Sequence, residues 1–268
     1  MQSTFTGMIE WSSSTVLVTG ASSGIGFAIA ERLARRGSRL VLVARESPRL
    51  REAAAKLAVV AASEPVVVPL DLYDPGAAAE LLRETERLGI QVDVLVNNAG
   101  HSLYGRFAEQ DPAALERMIQ LDVVSVAMIA RAFLPGMVAR GRGAVVNVAS
   151  IAAFAPFPTQ AAYGASKAFV LSLSEALWAE TRGTGVHVMA LCPGATDTGF
   201  FRTLGHRMNV SKTSPEAVAA VAVDALDRGA MTVVPGFVDR LRCCLAVRLL
   251  PRRAIARLMR AVLESTYR

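Results

Sequence analysis

Tyr163 and Lys167 stand four positions apart in Ala161 to Leu177, a segment of helical composition, so their side chains fall on one helix face. Ser150 comes thirteen residues before Tyr163, at the end of a β-branched run. A phenol, an ammonium and a hydroxyl gathered at one place can move a proton to or from an oxygen. A free tyrosine, with a pKa near ~10, is a poor proton carrier around neutrality. An ammonium at ~4 Å, in an effective dielectric of ~20, would stabilise the phenolate by ~4 kcal/mol, about three pKa units, and bring it close to working pH. These residue types therefore predict Tyr163 as general acid/base, Lys167 as its electrostatic activator and Ser150 as the donor that orients a substrate oxygen while charge grows on it.

A second group of residues suits phosphate. Thr19-Gly20-Ala21-Ser22-Ser23-Gly24-Ile25-Gly26 joins the run Thr15 to Thr19 to a helical stretch from Phe27 to Arg36. Glycines at such a turn let the backbone approach a pyrophosphate, and the helix N-terminus offers unpaired N–H groups and a positive dipole end. Gly20, Ser22, Ser23, Gly24, Ile25 and Gly26 are the candidate contacts. An NAD-selective site usually closes its second strand with an acid for the ribose 2′-OH. Here that place holds Ala44-Arg45, and a guanidinium can grip a 2′-phosphate through two charge-assisted bonds, which favours NADP(H). Glu46 follows immediately.

The Gly-x3-Gly-x-Gly loop, Asn97-Asn98-Ala99-Gly100, Ser150 and Tyr163-x3-Lys167, in this order, resemble the short-chain dehydrogenase/reductase family over roughly residues 13 to 236. The resemblance implies a nicotinamide dinucleotide and the interconversion of a carbonyl and a secondary alcohol. It implies Asp71, with Leu72, at the adenine, Asn98 and the Ala99-Gly100 backbone on the cofactor, and Asn97 tying strands together. Tyr163 and Lys167 would also meet the nicotinamide ribose. Pro193, Gly194, Thr196 and Thr198 would flank the nicotinamide, with Thr198 the side-chain partner of its carboxamide or of the pyrophosphate. One position departs from the family's pattern. The fourth catalytic residue is an Asn there, and the matching stretch Leu121-Asp122-Val123-Val124-Ser125 carries Asp122. A carboxylate ~8 Å from the phenolate would oppose the lysine by ~2 kcal/mol, so the expectation is a working site with a shifted pH optimum. Asp122 protonated, or salt-bridged elsewhere, is the alternative.

The elements that must position these residues are short strands alternating with crossover helices. Strands are expected at Thr15–Thr19, Arg39–Ala44, Val66–Leu70, Val94–Asn97, Ala144–Ala149, Val186–Leu191 and Thr232–Val234. Strands apolar on both faces, separated by helices, indicate a parallel sheet covered on both sides. The expected fold is a doubly wound α/β Rossmann domain over residues 13–236, with a helical appendage over 237–268. Asp111-Pro112 opens a helix through about Ala139 whose end Pro135 should disturb, and Ser214-Pro215 opens another.

The 268 residues are 52% hydrophobic and 19% charged, too apolar for a disordered chain. Cys192, Cys243 and Cys244 have neither disulfide nor zinc spacing, and no metal site is expected. The first residues do not read as a signal peptide and no apolar run approaches the ~20 residues that span a bilayer, so a cytoplasmic location is expected. Residues 240–268 hold eight Arg against Glu264, a net +7, so the preceding residues sum to −1 and lack the basic face of a nucleic-acid binder. His101, His187 and His206 form no triad and are taken as structural. Substrate choice should sit in Ile151 to Gln160, with Phe154, Pro156, Phe157 and Pro158, and in Phe200 to Lys212, with Phe201, Leu204 and Met208; this lining suits an apolar ketoacyl, retinoid or steroid-like molecule. Ile255, Leu258, Met259, Val262 and Leu263 share a helix face, which can cover the pocket, join subunits or lie on a membrane. The resemblance implies a homodimer or homotetramer. A catalytically weak NADP-binding regulatory or interaction protein, suggested by Asp122 and the tail, is the second functional class.

Overall fold

The computed structural model describes residues 9–199, 212–241, 243 and 250–266. Seven parallel strands form one sheet: β1 Thr15–Thr19, β2 Arg39–Ala44, β3 Val66–Pro69, β4 Val94–Asn97, β5 Gly143–Val148, β6 Val186–Leu191 and β7 Thr232–Val233. Their order is β3-β2-β1-β4-β5-β6-β7. The chain therefore reverses direction of winding between β1 and β4, and the crevice at the carboxyl ends of those strands is where an open α/β sheet binds ligands.

The strands are apolar on both faces because both are covered. Val16 and Val18 of β1, Leu40 and Leu42 of β2, and Val94 and Val96 of β4 point into a core shared with α1 Gly24–Ala34, α2 Pro48–Ala58 and α7 Pro215–Asp227. Leu17, Val41, Val43 and Leu95 point the other way, against α3 Ala77–Arg87 and α5 Val126–Arg140. The two-residue side-chain period puts successive residues into opposite cores. Helix α6, Ala161–Glu180, buries Val170 and Leu171 against Ala149, Ala190 and Cys192 beside the strand ends.

Helix starts follow local chemistry. Ser47, Asp111 and Ser214 each accept the N–H three residues on, from Leu50, Ala114 and Ala217, and each precedes a proline at the first helical position. The helix expected to run through about Ala139 ends at Arg140, before Gly141, whose φ is 69°, and Pro135 lies inside it. The carbonyl that loses its partner belongs to Arg131, and both Arg131 and Pro135 are exposed, so water can satisfy it. Helix α4, Pro112–Ile119, passes into α5 through a π turn at Gln120–Ser125. Together, Pro112–Arg140 is long and apolar enough to cross a membrane by composition, contrary to expectation, yet Leu121, Ile129, Phe133 and Met137 are packed into the sheet's core. A short α8, Phe237–Leu241, and α9, Arg252–Thr266, complete the described elements.

Candidate active site

The glycine loop leaves β1 at Thr19, with Gly20 at φ 63° and Gly24 at φ 61°. A Cβ on Gly20 would come within 2.9 Å of the Asn98 amide nitrogen and 3.0 Å of Ala99 Cα. Gly26 is buried, and a Cβ there would strike the Asn98 amide and come within 2.7 Å of the Gly20 carbonyl. Gly26 thus lets α1 approach the end of β4 closely and does not line the cleft, while Gly20, Ser22, Ser23, Gly24 and Ile25 do. Asn98 has a structural role besides its place on the cleft. Although it borders the cleft, its amide donates to the carbonyls of Thr19 at 3.0 Å and Gly20 at 3.3 Å, so it braces the loop. Asn97 does tie strands: it donates to Asn147 Oδ1 at 2.9 Å, and Asn147 donates to Ser174 Oγ at 3.0 Å.

One cleft of about 1880 Å³ runs along the carboxyl ends of the strands. Arg45, Asp71, Leu72, Ala99, Gly100, Ser150, Tyr163, Lys167, Pro193, Gly194, Thr196 and Thr198 all border it. Thr196 is itself buried, its hydroxyl donating to the Gly194 carbonyl at 3.1 Å, whereas the Thr198 methyl packs where a Gly24 Cβ would stand. Asp71 Oδ1 accepts the Tyr73 N–H at 3.1 Å. Glu46 turns from its neighbour Arg45 and pairs with Arg51 at 2.9 Å, so it does not mask the guanidinium.

At the reactive end, Ser150 follows β5 and its hydroxyl accepts the Ala152 N–H at 3.1 Å. It is also hydrogen-bonded to the Tyr163 phenol. Lys167 Nζ lies 5.6 Å from the Tyr163 ring centroid and donates to the Val148 carbonyl at 3.4 Å. Asp122, fully buried in the π turn, brings Oδ2 to 3.2 Å from Lys167 Nζ, and its Oδ1 accepts the His101 N–H at 2.7 Å. A Cβ on Gly100 would sit 3.1 Å from the same ammonium.

This contact ion pair changes the expected electrostatics. Burial pushes the Tyr163 phenol up; Lys167 and the Ser150 hydrogen bond pull it down, Asp122 pushes it up again, and the net shift is upward. The lysine does not bring the phenol toward neutrality, because burial outweighs its pull; the Asp122 carboxylate adds to the upward shift to a smaller extent. Burial works against the Lys167 ammonium, but Asp122 and Tyr163 outweigh it and its pKa rises. Burial likewise drives the Asp122 carboxyl up, against the pull of Lys167 and of the His101 N–H. At neutral pH the site therefore holds a protonated phenol beside a paired lysine.

Several cleft residues escaped the sequence reasoning. His101 borders the cleft and holds Asp122, Tyr73 and Arg49 line its adenosine-side wall, and Asp239 occupies the space a Cβ on Gly194 would need. Tyr73 and His101 directly follow the motif residues Leu72 and Gly100, which was their available signal. His187 bonds the Ala230 carbonyl at 2.9 Å, a structural role as expected. Cys192 is buried, with its thiol pushed far up by burial, and is inert. Phe201, Leu204, His206, Met208 and Cys244 lie outside the described residues. Ile151, Phe154 and Phe157 border the reactive end, and Phe157 packs where a Cβ on Gly164 would be. Pro156 and Pro158 do not line it. Ile255, Leu258, Met259, Val262 and Leu263 of α9 also border the cleft. No group of three or more metal-ligating side chains occurs among the described residues.

A family model described as short chain dehydrogenase matches residues 14–209. An uncharacterized oxidoreductase of Staphylococcus saprophyticus is 35% identical over 226 residues, 82% of this chain and 94% of that one. Among solved structures, a short-chain dehydrogenase from Sphingobium yanoikuyae in complex with NADPH is 34% identical, with a TM-score of 0.80 over 94% of this chain and 95% of that chain. The bulky-bulky ketone specific alcohol dehydrogenase from Comamonas testosteroni is 31% identical, with a TM-score of 0.76 over 94% of each chain.

Proposed function

The chain belongs to the short chain dehydrogenase family, an oxidoreductase family that uses a nicotinamide cofactor, and from that premise we propose that it is an NADP(H)-dependent reductase of bulky, apolar ketones. The observation that carries this reading is the convergence of Ser150, Tyr163 and Lys167 on one cleft at the rim of the sheet, with Lys167 Nζ 5.6 Å from the Tyr163 ring centroid. A neutral phenol is the acid a ketone needs when it becomes an alkoxide.

The residues present fit a dinucleotide. The Gly20 to Ile25 turn, whose glycines leave no room for a Cβ, would hold the pyrophosphate, Asp71 and Leu72 would border the adenine, and Arg45 would meet a 2′-phosphate. When bound, the reduced cofactor supplies the hydride. Ser150 donates to the substrate oxygen and orients the carbonyl, and Tyr163 gives its proton to that oxygen as negative charge develops. Lys167, held by Asp122 and the Val148 carbonyl, keeps a fixed place beside the phenol and opposes part of the cost of deprotonating it.

Support for an apolar substrate comes from Ile151, Phe154 and Phe157, which follow Ser150, and from the apolar α9 side chains that border the same cleft. Leu258 and Val262 are 50% and 45% exposed there, apolar surface that a bulky ligand would cover. The alternative of a binding protein without turnover has no support in the site, since Ser150, Tyr163 and Lys167 converge. A panel of ketones and secondary alcohols, assayed with both dinucleotides, tests the proposal. NADPH oxidation with bulky ketones is expected, and Tyr163→Phe should abolish it while NADPH still binds. Saturable NADPH binding with no turnover on any ketone, or an active Phe variant, would refute it.

A further inference from the structure

We infer that Tyr73 is a positioning residue for dinucleotide choice, an aromatic plate that holds the Arg45 guanidinium toward the cleft while Arg117 adds a second positive charge behind it. The inference rests on the NADP(H) reading above and extends it to residues outside the strand-end position.

The three side chains come from separate elements: Arg45 after β2, Tyr73 after β3 and Arg117 from α4. The Arg45 and Arg117 guanidinium carbons lie 5.8 Å and 4.7 Å from the Tyr73 ring centroid, both within cation–π range. The backbone that carries the ring is held by the Tyr73 N–H, which donates to Asp71 Oδ1 at 3.1 Å. Burial drives the phenol of Tyr73 up and the two guanidiniums pull it down; the net shift is upward, so the ring stays neutral and its face remains a partner for cations.

Two like charges over one ring repel each other, and no carboxylate stands within ion-pair distance of either guanidinium among the described residues. Glu46, the acid nearest in sequence to Arg45, is paired with Arg51. Arg49 borders the same end of the cleft; the acids bordering it there are Glu46, Glu52 and Asp71. Arg45 and Tyr73 line the cleft and Arg117 does not, so Arg117 can act only through the ring and through space. An arginine side chain loses rotamer entropy when it is held in one geometry, and a ring that restricts Arg45 before binding removes part of that cost from the 2′-phosphate contact. A dinucleotide with a bare 2′-OH lacks the phosphate that Arg45 would pair with and gains less from both charges. The stack therefore selects for the phosphorylated cofactor.

The test is the ratio of kcat/KM for NADPH to that for NADH, measured with one ketone. Tyr73→Phe keeps the ring and is expected to keep the ratio. Tyr73→Leu should lower it about three-fold, through a rise in KM for NADPH that exceeds any rise in KM for NADH. In an Arg45→Gln background, itself expected to lower the ratio about ten-fold or more, Tyr73→Leu should add nothing. Arg117 is exposed, so Arg117→Gln probes the same stack without disturbing packing; a fall of about two-fold, shrinking as salt is added, is expected. Equal losses for both dinucleotides in Tyr73→Leu, or an unchanged ratio in Tyr73→Leu and Arg117→Gln while Arg45→Gln collapses it, would overturn the role of Tyr73 and leave NADP(H) use intact. An unchanged ratio in Arg45→Gln would overturn both.

Discussion

Replacing Asp122 by Asn removes one charge from the most buried ion pair of the molecule and keeps its shape. Asn can still accept the His101 N–H through its oxygen, so the π turn retains its anchor. At 3.2 Å and an effective dielectric of ~20, the carboxylate and the Lys167 ammonium attract by roughly 5 kcal/mol, which burial of both groups offsets in large part. The distances from Oδ2 to Nζ and from Nζ to the ring centroid place the carboxylate within about 9 Å of the phenol ring. A charge at ~9 Å acts with roughly 1.8 kcal/mol, about 1.3 pKa units. Losing it frees the lysine's charge for Tyr163, so the phenol's pKa should fall by about one unit or somewhat more. The assay is log kcat against pH for ketone reduction. Reduction requires the protonated phenol, so its alkaline limb should move to lower pH by about one unit in Asp122→Asn, with neutral-pH kcat little changed. Alcohol oxidation requires the phenolate, so its rising limb should move in the same direction. Coincident limbs for parent and variant, with matching melting curves, would show that Asp122 does not set the phenol's acidity.

In the parent, the upward shift of Tyr163 predicts that oxidation climbs steadily above neutral pH while reduction holds level and falls only on the alkaline side; a bell centred near neutrality for oxidation would contradict the shift. Gly26→Ala would drive a Cβ into the Asn98 amide and the Gly20 carbonyl, and should cost about 1–3 kcal/mol in thermal or denaturant unfolding together with weaker dinucleotide binding. Asn147→Ala leaves the Asn97 amide and the Ser174 hydroxyl without a shared partner in the core, and a loss of about 1–3 kcal/mol is expected by urea titration. Leu258→Glu should raise KM for a bulky apolar ketone several-fold and leave KM for NADPH unchanged, because Leu258 is one of the apolar α9 side chains that border the cleft.

The sheet was legible because each strand is apolar at consecutive positions, and the structure explains why: Val16 and Val18 face one core while Leu17 faces the other. Strand ends differ by one residue: β3, β5 and β7 stop one position earlier than expected, at Pro69, Val148 and Val233, and β5 opens one position earlier, at Gly143. Ser150, Tyr163 and Lys167 were legible because a strand end and a four-residue helical spacing are local features. The ion pair was not. Asp122 and Lys167 belong to different helices, and their contact depends on how α6 packs beside the π turn, which no local pattern encodes. The same holds for Arg117, which reaches Tyr73 from α4, and for Glu46, whose choice of Arg51 over Arg45 is a matter of helix geometry at the start of α2. Asn98 lay in the expected motif, yet its amide is occupied by two carbonyls of the glycine loop.

The two departures from expectation act at opposite ends of one cleft, and their combined effect is to separate binding from chemistry. At the reactive end, Asp122 pairs with Lys167, so the surroundings of Tyr163 and Ser150 carry little net charge and are bounded by Phe154 and Phe157. At the other end, Arg45 and Arg117 gather over Tyr73, with no carboxylate of the described residues within ion-pair distance of either. An apolar ketone entering the neutral end displaces no counter-ion and meets no unpaired lysine that would have to be desolvated against it. The dinucleotide, anchored by charge far from the reacting carbon, can hold its place while the ketone and the alcohol exchange. Remote binding of this kind helps the reaction only when it positions the transferring group, and the glycine loop does that by fixing the pyrophosphate between the two ends. A buried carboxylate beside the lysine is then consistent with a reductase: it weakens the site's hold on a phenolate, which oxidation needs, and leaves intact the phenol that reduction uses.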